Sequence, residues 1–241
     1  MITLTAGEIG LLVGGEMHCD KDLLVSKAPV FDSRKATPGC IFLALQGEVV
    51  DGHDYAADAY RAGAMFSLTT KRIDGPCIVV EDVIEALSIL ATFVRKRLTN
   101  LTVIGITGSQ GKTSTKDLMS HMLSAVGPTV SPAGSFNNDL GLPITLLECD
   151  EKTSFCILEM GARHTGDIAR LCSIAQPNIG VVLTVGTAHL GEFGSVEAIA
   201  RTKSELIQGL NADGIAVLGN YDSYTPAMAS LHSGRTIKFG A

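Results

Sequence analysis

Lys112 and Thr113 stand directly after Gly111 in the stretch VIGITGSQGKTSTKD, residues 103–117. Glycine, lysine and a hydroxyl residue in that order are the parts of a phosphate cradle. Glycines let the backbone curl round the anion, the lysine reaches the outer phosphates, and the hydroxyl ligates Mg2+. The common pattern G-x-x-x-x-G-K-[ST] is one glycine short here, because Ile106 occupies the first glycine position. The bland alternative is a glycine-rich turn with a surface lysine and threonine. Context favours the cradle: VIGITG reads as a buried strand and KTSTKDLMSHMLSAV as a helix. A helix N-terminus turns unpaired N–H groups and a partial positive charge toward an anion. On this reading Thr107, Gly108, Ser109, Gln110, Gly111, Lys112, Thr113 and Ser114 make up the loop.

Three further residues could complete a reacting centre. Glu159 ends the apolar run FCIL, where a carboxylate beside a phosphate loop can add a Mg2+ contact or simply be solvated. His189, in GTAHLGEFGS after the strand NIGVVLTVG, falls on the same sheet edge; a loop histidine there is either an ordinary polar residue or part of the site. Lys203 is the oddest of the three. Val196, Ile199, Ala200, Ile207 and Leu210 make one apolar helix face, and Lys203 sits in its middle. It either snorkels out at an edge or is buried for a purpose, and burial would lower its pKa and expose a reactive amine.

The elements that must position these residues alternate in the manner of parallel α/β units from about residue 101 onward. LTVIGITG, FCILEMG, NIGVVLTVG and GIAVLGN read as strands, with HTGDIARLCSIA and SVEAIARTKSELIQGL as further helices. Before residue 82 the texture is different: short strands, turn residues and one helix, which suggests a smaller, separate α/β domain. DVIEALSILATFVRKRLTN reads as a connecting helix. The expected organisation is therefore an N-terminal domain over 1–81 and a phosphate-loop domain with a mostly parallel sheet over 82–241.

The whole chain bounds the possibilities. Its 241 residues, 46% hydrophobic, can fill more than one core, and a net charge of -6 leaves no broad basic face for nucleic acid. No apolar run approaches the ~18 residues of a membrane span, and the first residues lack the pattern of a signal peptide, so a cytoplasmic location without membrane insertion is expected. The six cysteines contain no C-x-x-C pair, which suggests neither zinc nor a redox dithiol; Cys156 reads as a core residue.

TGSQGKT together with EMGARHTGDIARL and AHLGEFGSVEAIARTKSEL resembles the Mur ligases, ATP-dependent amide-forming enzymes of peptidoglycan precursor synthesis. Their loop is T-G-x-x-G-K-[ST], which accounts for Ile106. GSFNNDLGLPITLL and DSRKATPGCIFLALQGEVVDGHDY look most like the members that join D-alanyl-D-alanine to UDP-N-acetylmuramoyl-tripeptide. The alternatives are a relative that adds the third amino acid, a folyl-polyglutamate synthase, against which the DSRKATPGC segment argues, or a fragment that binds without turnover.

The resemblance implies ATP and Mg2+ as cofactors. Lys112, Glu159, His189 and Lys203 would be catalytic, with Thr113, Glu159, His189 and a carbamylated Lys203 around the metal. Asn220 would read adenine, Ser33 and Arg34 would bind the UDP-sugar, and Asn137 and Asn138 would contact substrate near the reacting carboxylate. Gln46 replaces a common family lysine, which puts one diphosphate contact in doubt. The family also carries a third, C-terminal domain, so the chain is expected to be an incomplete piece; a monomer is expected.

Overall fold

The computed structural model describes residues 1–188 and 190–240. They divide into two units, residues 1–97 with 147–150, and residues 98–146 with 151–241.

In the first unit, β1 (Leu4–Thr5), α1 (Ala6–Val13), β2 (Glu16–His18) and β3 (Leu24–Val25) are followed by β4 (Ile41–Leu43), α2 (Ala56–Ala62), β5 (Phe66–Thr69), β6 (Cys77–Val79) and α3 (Val83–Arg97). The sheet order is β2-β6-β5-β4, with β1 and β3 paired separately. Phe42, Cys40, Ala56 and Ala59 form a core cluster under α2. The helix α3 corrects one expectation. It does not connect the domains but buries Leu87, Leu90, Ala91 and Val94 within the first unit, so the division falls at 97/98 rather than 81/82. An apolar stripe of that length needs a partner surface, and the first unit supplies it.

The second unit runs β7 (Thr102–Thr107), α4 (Lys112–Ser124), β8 (Thr129–Val130), α5 (Gly141–Leu147), β9 (Phe155–Glu159), α6 (Asp167–Ala175), β10 (Ile179–Val182), α7 (Leu190–Phe193), α8 (Val196–Gln208), β11 (Ile215–Gly219) and β12 (Arg235–Phe239). Its sheet has the order β12-β11-β10-β7-β9-β8, and every pairing in it is parallel. The strands read from the sequence are all present. They are apolar on both faces because helices cover both, as parallel sheets require. Met119 and Leu123 of α4 lie on Ile104, Ile106 and Ile157. On the opposite face Leu206 of α8 crosses so closely that a Cβ at Gly105 would stand 3.0 Å from it and one at Gly180 3.2 Å. Glycines in these two strands thus let α8, and Lys203 with it, lie flat on the sheet. In register, Ile106 pairs with Glu159 and Thr107 with Val182, so the carboxyl ends of β7, β9 and β10 form one edge where ligands of open α/β sheets bind.

Candidate active site

The loop between β7 and α4 has the backbone of a phosphate cradle. Gly108 and Gly111 have φ of 156° and 83°, and Gly111 starts α4 with no side chain capping it. The first N–H groups of the helix are thereby left for an anion. Lys112 Nζ donates to the Gly108 carbonyl at 2.8 Å. Burial pulls the Lys112 pKa down, and the charge of Glu159 offsets part of that. Thr113 and Ser114 are exposed at the helix start, beside exposed Gln110. Two loop residues hold the cradle in place. Thr107 is buried, its hydroxyl donating to the Met160 carbonyl at 2.9 Å. Ser109 fastens the loop to the turn after β10, with its N–H on the Thr184 carbonyl at 2.9 Å and its Oγ accepting from Gly186 N at 2.8 Å.

Glu159 is fully enclosed. Its Oε2 accepts from Ser135 Oγ at 3.2 Å, while Oε1 is buried with no hydrogen-bond partner. Orphaned buried carboxylate oxygens are costly and rare, and a hard cation satisfies one well. Among the described residues no group of three His, Cys, Asp or Glu could hold a metal alone. One buried carboxylate oxygen beside the phosphate loop fits an ion that takes few protein ligands and completes its shell with phosphate and water, the habit of Mg2+.

Lys203 settles the sequence ambiguity in favour of burial. It is 8% exposed, and burial, with the charge of Lys112 second, lowers its pKa to about 8. Both lysines line a cavity of about 520 Å3 walled by Asn137, Asn138, Asp139, Arg163, His164 and Asp167. Asn137 donates from Nδ2 to Ser135 Oγ at 3.0 Å, and the Asn138 side-chain oxygen accepts from Gly141 N at 2.9 Å, capping α5. Asp167 accepts from the N–H groups of Arg163 and His164, each at 2.8 Å. Glu205, two residues beyond Lys203, accepts from Gly166 N at 2.7 Å and Ala169 N at 3.0 Å. The loop carrying Arg163 is thus fixed from α8. Ser135, Arg163 and Glu205 were invisible as site residues in the sequence, because their place in the site depends on which loops meet.

His189 lies outside the described residues. Asn220 sits exposed just past β11, its N–H on the Phe239 carbonyl at 2.8 Å. Next to it, Asp222 accepts from Val185 N at 2.9 Å, Thr184 Oγ1 at 3.0 Å and Thr225 N at 2.7 Å, which anchors the turn that Ser109 grips.

In the first unit, Ser33 and Arg34 line a second cavity of about 650 Å3 together with Phe31, Val50 and Tyr55. Arg34 closes its fork on Asp32, Nε to Oδ1 and Nη2 to Oδ2, both at 2.8 Å. Gln46 forms a β-bridge with Asp51, whose Oδ2 accepts from Lys71 Nζ at 3.0 Å. Lys71, two residues past β5, therefore stands beside the segment that carries Gln46.

The Mur ligase middle domain family matches residues 106–241, and the Mur ligase family catalytic domain matches residues 30–95. A UDP-N-acetylmuramoyl-tripeptide--D-alanyl-D-alanine ligase of Mycobacterium tuberculosis is 46% identical over 99% of this chain and 52% of its own length. A crystal structure of MurF from Acinetobacter baumannii superposes with a TM-score of 0.88 at 34% identity, covering 99% of this chain and 53% of that one. MurF ligase from Thermotoga maritima in complex with ADP superposes with a TM-score of 0.78 at 34% identity, covering 92% and 52%. The chain spans about half the length of these relatives. The matches cover most of the chain, and the chain belongs to the Mur ligase family.

Proposed function

We propose that this chain is the UDP-substrate unit and ATP-binding unit of an ATP-dependent ligase that joins D-alanyl-D-alanine to UDP-N-acetylmuramoyl-tripeptide. The observation that carries the reading is the meeting of Lys112, Lys203 and the Asn137–Asn138 wall in one cavity at the phosphate loop. The ADP complex of the Thermotoga maritima relative and the names of the relatives support nucleotide and substrate.

The phosphates rest on the α4 N-terminus and the Gly108–Gly111 backbone, and Lys112 leaves the Gly108 carbonyl for them. Glu159 and Thr113 would hold Mg2+, which supplies charge neutralisation for the phosphoryl group when bound. Lys203, with its lowered pKa, is neutral often enough to add to CO2: the nitrogen lone pair forms the N–C bond, a proton leaves, and the resulting carbamate is an anion where an ammonium would repel a cation. The two asparagines and Lys112 orient the peptide carboxylate, whose oxygen attacks the γ-phosphorus of ATP as the bond from that phosphorus to the bridging oxygen breaks and ADP leaves with its electrons. The amine of D-alanyl-D-alanine then attacks the acyl carbon and phosphate departs with the C–O bond electrons, so two easier displacements replace one hard one. Ser33 and Arg34 bind the UDP-sugar in the first unit, and Asn220 contacts adenine.

The test is turnover by the full-length protein supplied with ATP, Mg2+, UDP-N-acetylmuramoyl-tripeptide and a panel of amines. ADP release that depends on D-alanyl-D-alanine is expected. Release with a free amino acid on the dipeptide substrate instead would assign it to the relatives that add the third residue.

A further inference from the structure

Lys116 lies one turn beyond Lys112 on α4 and is 2% exposed. A lysine is almost never so enclosed unless its charge is matched. Its Nζ donates to the carbonyl of Pro132 at 2.7 Å and of Gly134 at 3.1 Å, and it pairs with Asp117 Oδ1 at 2.9 Å. Two of the three donors therefore go to the backbone of one loop, immediately before Ser135. A second tie joins the same helix and loop, Ser120 Oγ to Ser131 Oγ at 2.9 Å.

From that loop the bonds run on to the site. Ser135 Oγ donates to Glu159 Oε2 at 3.2 Å and accepts from Asn137 Nδ2 at 3.0 Å, and the Asn137 carbonyl accepts from Gly161 N at 2.9 Å. We propose that Lys116 is a positioning residue for this site. Its ammonium, bound to the Pro132 and Gly134 carbonyls, holds Ser135 against Glu159 and Asn137 against Gly161, so that the phosphate-loop helix, the buried carboxylate and the asparagine wall keep one geometry.

The physical reason is the absence of any substitute for the ammonium. Lys116 and Pro132 are buried, so an apolar side chain of the same length leaves the Pro132 carbonyl without its partner and frees the exposed Gly134 carbonyl from the helix. Arginine does not replace it, because a planar fork cannot converge on two carbonyls from the volume that a single Nζ fills. The Gly134 backbone is left-handed, φ 89°, so once released from Nζ the segment has other conformations to visit.

The inference rests on Glu159 serving the metal, as proposed above, and its test separates the two. In the full-length protein, K116M and S135A are compared with wild type by thermal melting, by amide hydrogen exchange at residues 133–138, and by calorimetric ADP binding across a Mg2+ titration. K116M is expected to exchange faster at 133–138 and to need about tenfold more Mg2+ for half-saturation, with metal-free ADP affinity unchanged. S135A is expected to show the same Mg2+ effect, and the double variant to be no worse than K116M, since both act along one chain of bonds. A lowered melting temperature with wild-type exchange at 133–138 and wild-type Mg2+ dependence overturns the proposal. If K116M fails to fold, S135A decides, and a wild-type Mg2+ requirement in it overturns the proposal. If wild type itself shows no Mg2+-dependent ADP binding, the functional reading has failed, and the exchange rates alone decide the role of Lys116.

Discussion

Replacing Lys203 by Met keeps a long unbranched side chain and removes the charge from the apolar face of α8. In the folded chain burial, and after it the charge of Lys112, brings the Lys203 pKa from 10.5 to about 8. Between pH 8 and 10.5 the unfolded chain carries a proton here that the folded chain has released, so stability rises with pH through that window. Below it, both states are protonated and the folded state bears the full cost of a buried ammonium. At about 1.4 kcal/mol for each pH unit, that cost is about 3 kcal/mol. K203M is therefore expected to be more stable than wild type by at most about 3 kcal/mol near neutral pH, with the advantage shrinking toward zero as pH passes 10.5. The assay is urea unfolding of both proteins at several pH values in CO2-depleted buffer, so that no carbamate relieves the wild-type lysine. The same variant is expected to lose ligase turnover, a direct exchange of function for stability. Equal or lower stability of K203M at neutral pH, or a difference that does not change with pH, would refute the reasoning.

Three other outcomes are expected. In E159Q the extra stabilisation by ADP that requires Mg2+, about 2.7 kcal/mol at a hundredfold excess over Kd, should vanish from melting curves. G111A places a Cβ on a backbone with φ 83°, at a cost of about 1–2 kcal/mol, and should weaken nucleotide binding in calorimetry more than it weakens the fold; unchanged affinity would argue against the cradle. Asp222 is pushed up by burial and pulled down further by hydrogen bonds from Val185, Thr225 and Thr184, so its pKa lies below the ordinary 3.8. Its contribution is thus fully present above that value and lost as pH falls through the folded-state pKa, and D222A should cost about 3 kcal/mol near neutral pH, with the gap to wild type closing under acid in denaturant titrations.

Much of the second unit was legible in the sequence because local signals agreed. Buried parallel strands are short and apolar throughout, and each was followed by a helix with a 3.6-residue period, so VIGITG, FCILE and IGVV could be placed before any coordinate was known. The first unit was less legible. Strands of two to four residues such as Leu24–Val25 and Cys77–Val79 carry too few residues for a period, and α3 was assigned to the wrong side of a boundary because amphipathicity shows that a helix has a partner face without showing which unit provides it. Lys203 was the reverse case, a local rule broken in plain view at a position that is buried and lines the cavity beside Lys112.

By itself the sequence determined the order of the main strands and helices of the second unit, the glycines that bend the phosphate loop, and the fact that a lysine interrupts an apolar face, since these follow from residue type and spacing along one chain. Tertiary structure alone decided that Oε1 of Glu159 is buried without a partner, that Lys112 and Lys203 share a cavity, and that Lys116 is tied to the loop that carries Ser135. Those facts depend on which distant segments pack together and on how much water they exclude, and burial and dielectric are properties of the packed chain rather than of any residue in it.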